Sequence, residues 1–238
     1  MSMIKKKRAD NAPPKWLVDA AQGLAYWVAY RRTLFSRHSI PEGALATELT
    51  NLVARFQPDT TVLFNEFYYE HLIPKGSPRP PEVGGDQRAD LVICTKTSGV
   101  DIKWDKNISE SLLATIEIKR AYTGSELSRV SEQAFIDDLK RLKALLDTNE
   151  KRRLRTFLLV VSESRRPSTF VTDDGNGRRK WSNSFEKRLK EADLVDHVGV
   201  MRVLKASASL RPNNRTASYV CILEVKPSSS RTGARGRR

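Results

Sequence analysis

The chain reads as an α/β protein in which helices cover a mixed central sheet, and three observations carry that reading. Residues 41–163 run in the order helix, three strands, helix, strand. The runs at 91–94, 112–119 and 156–161 are short and apolar enough to be buried strands. Phe135, Leu139, Leu142 and Leu146 are spaced by four, three and four, the period of an amphipathic helix over 126–147.

Taken in order, Leu17, Ala21, Leu24 and Val28 fall on one stripe that Trp16 and Trp27 widen, so residues 14–33 form a largely buried helix. Pro41-Glu42 opens a second helix to about Phe56, with Leu45, Leu49 and Leu52 inward, and Gln57-Pro58-Asp59 ends it. Residues 61–69 (TVLFNEFYY) are β-rich, and the prolines and glycines of 71–88 make a loop. Arg88-Ala89-Asp90 introduces the strand at 91–94, residues 96–110 read as a hairpin excursion, and 112–119 (LLATIEIK) as a buried strand. The helix at 126–147 and the strand at 156–161 follow, then a loop at 172–180 rich in Asp, Gly and Arg. A helix at about 183–194 and strands at about 198–206 and 217–226 form a C-terminal αββ extension. One domain over 14–226, with its core at about 41–163, would lie between basic tails at 1–13 and 227–238.

Composition narrows the function classes. The chain has 238 residues, 42 Lys and Arg against 28 Asp and Glu, and a net charge of +14. That excess favours a polyanionic partner, nucleic acid first and an anionic membrane surface second. Residues 1–10 contribute +3 and residues 228–238, with four arginines and no acid, contribute +4. The tails are solubilising extensions or arms along phosphates. The longest apolar stretch, residues 16–30, is broken by Asp19 and Gln22 and is shorter than the roughly 20 residues of a bilayer span. MSMIKKKRAD has no apolar segment behind its lysines, so no secretory signal is expected. Cys94 and Cys221 sit in apolar runs and read as reduced core residues of a cytoplasmic protein. Three scattered histidines and no paired-cysteine spacing give no support for structural zinc.

The informative chemistry is Asp90, followed 27 residues later by Glu117-Ile118-Lys119. Side chains alternate along a strand, so Glu117 and Lys119 share one face while Ile116 and Ile118 pack on the other. Two charges on so apolar a strand are costly unless that face opens into a site. If Asp90 begins the neighbouring strand, the two carboxylates converge. At about 4 Å they repel by roughly 4 kcal/mol for an effective dielectric of about 20. A divalent cation reverses that sign, and hard oxygen ligands suit Mg²⁺, with Mn²⁺ as a substitute. Lys119 beside them could polarise a phosphate, or orient and deprotonate a water.

Ala89-Asp90 with its apolar run, and Ile116-Glu117-Ile118-Lys119, resemble the PD-(D/E)xK nuclease superfamily, the restriction-endonuclease-like proteins. Ala89 stands where the family's lead proline would be. The resemblance covers about half the chain and implies an αβββαβ core carrying a metal-dependent phosphodiesterase that leaves 5′-phosphate ends. It also implies that an acid of the helix before the first strand joins the metal site, which here is Glu48, the alternative being a solvated helix face. Glu66 and Glu70 are weaker candidates for the same job. Gln133, Asp138 and Arg141 lie on the helix after the catalytic strand, from which similar proteins send a polar residue towards the site; surface salt bridging is the expected role here.

Acid-x-Lys occurs four times, at Asp101-Ile102-Lys103, Glu117-Ile118-Lys119, Asp138-Leu139-Lys140 and Glu224-Val225-Lys226. Asp138 falls inside a helix, where positions two apart do not share a face. Asp101 has polar neighbours, and Glu224, with Asp196 upstream, lacks a following helix and strand. Glu117 has the buried strand, the upstream acid and the elements after it; a sheet-edge ion pair is the bland alternative. Arg152 and Arg153 (with Lys151 and Arg155), Arg165 and Arg166, and Arg178, Arg179 and Lys180 beside Trp181 are the basic clusters that would touch phosphates. The expectation is an Mg²⁺-dependent DNA endonuclease of restriction, phage or mobile-element biology, not membrane-bound, with a homodimer as one option for its assembly. Alternatives are a non-catalytic nucleic-acid binder on the same fold, or a nuclease for RNA or branched DNA.

Overall fold

The computed structural model describes residues 12–35, 40–57, 59–96, 108–121, 129–149, 153–162, 171–173, 179–181, 183–209 and 215–227. Helix α1 (Lys15–Leu34) starts behind Pro14, and α2 (Glu42–Phe56) behind Pro41. Gln57, forced towards extended backbone by the proline after it, stops α2 at ψ 145°. Strand β1 (Thr61–Tyr68) ends in a 3₁₀ turn, Tyr69–Leu72, and β2 (Arg88–Thr95) follows the proline-rich loop. A single helical turn, α3 (Ile108–Ser111), leads into β3 (Leu112–Ala121). Then come α4 (Arg129–Thr148), β4 (Arg155–Ser162), β5 (Val171–Asp173), β6 (Arg179–Trp181), α5 (Asn183–Glu191), β7 (Val198–Ser209) and β8 (Arg215–Val225).

Six strands form one mixed sheet in the order β1-β2-β3-β4-β8-β7. β1, β2 and β3 are an antiparallel meander. β4 lies parallel to β3, which obliges the chain to cross over, and α4 is that crossover. β8 pairs antiparallel with β4, and β7 with β8, so the C-terminal strands widen the same sheet.

Alternation along the central strands sends side chains to two separate cores. Ile116, Ile118, Leu159 and Ile222 pack under α1 and α2 through Leu24, Val28, Leu45 and Leu49. Leu158, Val160, Cys221 and Leu223 pack on the other face under α4 and α5 through Phe135, Leu139, Leu142 and Leu189. Cys94 and Cys221 are free thiols buried in this second core. Among the described residues no helix is long and apolar enough to cross a membrane.

Two local expectations change. The segment read as a loop at 172–180 contains a small antiparallel pair, with Val171 opposite Trp181 and Asp173 opposite Arg179. Its polar composition hid strands only three residues long. Of the excursion read at 96–110, residues 97–107 lie outside the described residues, and 108–111 are helical rather than extended.

Candidate functional site

The site lies where two strands stop pairing. The β2–β3 ladder ends at Leu91 opposite Ile116. β2 nevertheless stays paired with β1 as far as Arg88, and β3 with β4 as far as Ala121. Beyond that fork the Asp90 side chain takes over from the backbone, Oδ2 accepting the Ile118 N–H at 2.7 Å. Glu117 is the next position along β3 and is only 3% exposed. Glu117 and Lys119 sit beside Leu158 and Val160 of β4, so both belong to the face that α4 covers.

The surroundings make Glu117 a protonated acid. Burial, and then the Asp90 carboxylate, push it up to about 8; hydrogen bonding from Tyr69 and the charges of Lys119 and Arg141 oppose that rise without cancelling it. The bond comes from the hydroxyl of Tyr69, a fully buried residue, to Glu117 Oε1. Burial also raises Asp90, while the Ile118 N–H, Lys119 and a hydrogen bond with Glu117 pull it down. The two carboxyls are therefore coupled, and burial favours the protonated form of each.

Lys119 is held from two sides. Its Nζ lies 3.2 Å from Asp138 Oδ2 on α4 and 3.6 Å from Glu42 Oε2 at the start of α2. Glu42 Oε1 also accepts the Arg120 N–H at 3.1 Å, tying the first turn of α2 to β3. Asp138, 1% exposed, is shared with Arg141, whose guanidinium lies 5.9 Å from the Tyr69 ring centre. Two acids and an aromatic hydroxyl thus surround the Asp90–Glu117–Lys119 group.

Asp90, Glu117 and Lys119 come together as the sequence predicts. Glu48 does not join them. It is half-buried, makes no ion pair or hydrogen bond among the described residues, and is not among the charges that perturb Asp90 or Glu117. The α2 acid that reaches the cluster is Glu42, because the first turn of that helix meets β3. Glu66 acts on Asp90 through its charge. It lies between the Asn65–Leu91 and Phe67–Ala89 pairs with φ at 51°, a left-handed backbone that costs a non-glycine residue about 1 kcal/mol or more. Glu70 is exposed and pairs with Arg79 at 3.9 Å.

Asp138 is a correction. It belongs to the buried cluster, not to surface salt bridging, because it stands three residues after Phe135 and four before Leu142, inside the apolar stripe. Arg141 follows it inward, whereas Gln133 bonds Asp137 on the exposed side at 2.8 Å. Tyr69 carried no sequence signal, since its approach depends on the turn after β1. Glu224 of the competing tripeptide is neutralised by Arg155 at 2.7 Å, a cross-strand ion pair beside Phe157.

Arg153 is exposed. Arg179 and Lys180 lie on β6. Arg152, Arg165, Arg166 and Arg178, like Asp101 and Lys103 of another tripeptide, fall outside the described residues. A cavity of about 430 Å³ between α4, the loop at Pro80 and Leu194 has mixed charge and shares no residue with the fork.

No family model, curated protein or solved structure matches the chain. Among the described residues no group of three His, Cys, Asp or Glu is gathered as a ready-made metal cage. The donors that meet are two carboxylates, which fits a hard cation that keeps part of its water shell better than zinc.

Proposed function

We propose that the chain is a metal-dependent nuclease with a restriction-endonuclease-like core, acting on DNA through Asp90, Glu117 and Lys119. The observation that carries this reading is the fork itself. Two acids of adjacent strands converge where the β2–β3 ladder opens, with a lysine two residues on. A structural ion pair would put a cation between the acids; here the acids face each other, and Lys119, whose charge reaches both, forms its ion pairs with Asp138 and Glu42 instead. The proton that burial and the Asp90 charge favour on Glu117 is what a divalent cation would displace.

Asp90 and Glu117 would hold Mg²⁺, which supplies Lewis-acid polarisation of the phosphodiester and a more acidic water. Glu117 must release its proton to serve, and Tyr69, donating to Oε1, favours the carboxylate. Asp90 keeps Oδ2 on the Ile118 N–H, which fixes the orientation of its carboxyl. Asp138 and Glu42 hold the Lys119 ammonium at the fork, where it can meet a phosphate oxygen. The net charge of +14 supplies attraction for the polyanion.

The test is incubation with plasmid, single-stranded DNA and RNA, each with Mg²⁺ and with chelator. Cleavage that needs the metal and disappears in Asp90→Ala/Glu117→Ala supports the reading. Binding without cleavage of any of the three rejects it in favour of a binding protein.

A further inference from the structure

Large exposed apolar side chains are normal when scattered singly, but here they are gathered. Of the six that stand out among the described residues, Tyr26, Tyr30, Leu34 and Phe35 belong to the last turns of α1 or its C-terminal cap. They form two ridges. Tyr26, Tyr30 and Leu34 follow one another at intervals of four, and Trp27, Arg31 and Phe35 do so alongside. The Arg31 guanidinium lies 5.3 Å from the Trp27 ring centre and 4.9 Å from that of Phe35, so it lies against both rings of the second ridge. Residues 20–35 contain two arginines and no acid.

This end of α1 projects towards the fork's end of the sheet. The peptide oxygen of Ala12, just before α1, meets Arg155 at the start of β4 (3.0 Å). Gln22 bonds the carbonyl of Lys205 (3.2 Å), and the Ser218 hydroxyl bonds that of Ala25. Lys205 pairs with Tyr219, Tyr219 with Ser162, and Ser162 with Ala121, two residues past Lys119. Gln22 is therefore level with the far side of the site, and Tyr26 to Phe35 continue one to more than three turns beyond it. The chain then returns to Lys119 through Glu42.

We propose that the end of α1 is a stacking platform for unpaired bases, so that the substrate class of the site is a single-stranded polynucleotide or a duplex with a single-stranded flank. This rests on the nuclease reading for what happens at the fork, though not for binding. Flat exposed rings interleaved with a guanidinium and free of acids suit bases and phosphates together, whereas a paired duplex hides its base faces. Charge selects this occupant over a second copy of a chain that is itself strongly basic.

The experiment is fluorescence anisotropy with labelled oligo(dT), oligo(U) and a blunt duplex, in chelator, for wild type, Tyr26→Ala, Tyr30→Ala and the Tyr→Phe versions. Each alanine should weaken single-strand binding about tenfold, leave duplex binding within about threefold, and be rescued by phenylalanine. The two oligonucleotides show whether the platform serves DNA, RNA or both. Unchanged single-strand affinity, or equal losses on strand and duplex, would overturn the proposal. So would a wild-type dimer that the alanines split in sedimentation, since the face would then belong to a second copy. Tyrosine-dependent strand binding by a protein that cuts nothing with Mg²⁺ would support the platform and overturn the hydrolytic reading alone.

Discussion

Replacing Glu117 by glutamine should flatten the fall of stability with pH. A carboxyl raised from 4.5 to about 8 in the folded chain carries a proton that the unfolded chain has lost. Between those values the native state binds more protons, so stability falls as pH rises, by at most about 1.4 kcal/mol per pH unit. Stability from this source is complete below pH 4.5 and exhausted above about 8. Summed over that window the loss is at most about 5 kcal/mol, a ceiling because Asp90 and Glu117 share the titration. Burial likewise raises Asp90, whose contribution has the same sign and begins at lower pH. Glutamine keeps an oxygen for the Tyr69 hydroxyl and removes the ionisation. Urea unfolding of metal-free protein at several pH values from about 5 to 8.5 gives the difference between wild type and Glu117→Gln. That difference should shift steadily in favour of the variant as pH rises. Parallel curves would show that Glu117 does not hold the proton and would undo the argument for a strained acid pair.

Tyr69→Phe removes a bond that favours the Glu117 carboxylate, so the same pH-dependent loss should begin at the same pH and extend to higher pH; an upper limit that stays put in the urea series would contradict this. Asp138→Asn strips the counter-charge from Lys119 and Arg141, which are only partly exposed, and should cost about 2 kcal/mol in chemical unfolding. Glu224→Gln should lower stability by about 1 kcal/mol through Arg155 and leave any nuclease activity at the wild-type level. Loss of activity there would place the site in the wrong half of the chain.

How much the sequence shows depends on the range of the interaction. Glu117 and Lys119 were legible because a strand's period of two places them on one face whatever lies above it. Asp90 was legible from element order, since a meander brings the start of β2 against the end of β3. Asp138 is legible as buried from its position in the Phe135–Leu142 stripe, but its pairing with Lys119 rather than a surface partner depends on how α4 lies on β3. Glu42 outranks Glu48 only because of the angle at which α2 meets the sheet, which no local periodicity encodes. Tyr69 reaches Glu117 across 48 residues of chain through a 3₁₀ turn, and the fork that admits both is visible only once the ladder registers are known. The joining of β8 to β4, rather than to an outer edge, is likewise a matter of pairing, not of composition.

The measurement that bears most directly on the central claim is single-turnover cleavage and binding by Lys119→Ala. A lysine that meets the phosphate as charge develops acts mainly in the transition state, so its loss should lower the rate far more than the affinity. The account predicts substrate binding within a few-fold of wild type and cleavage slowed by roughly 10²-fold or more. Lys119→Arg, with the charge kept but the compact ammonium gone, should also be slow. Wild-type cleavage rates in Lys119→Ala would contradict the assignment of the fork as the catalytic site.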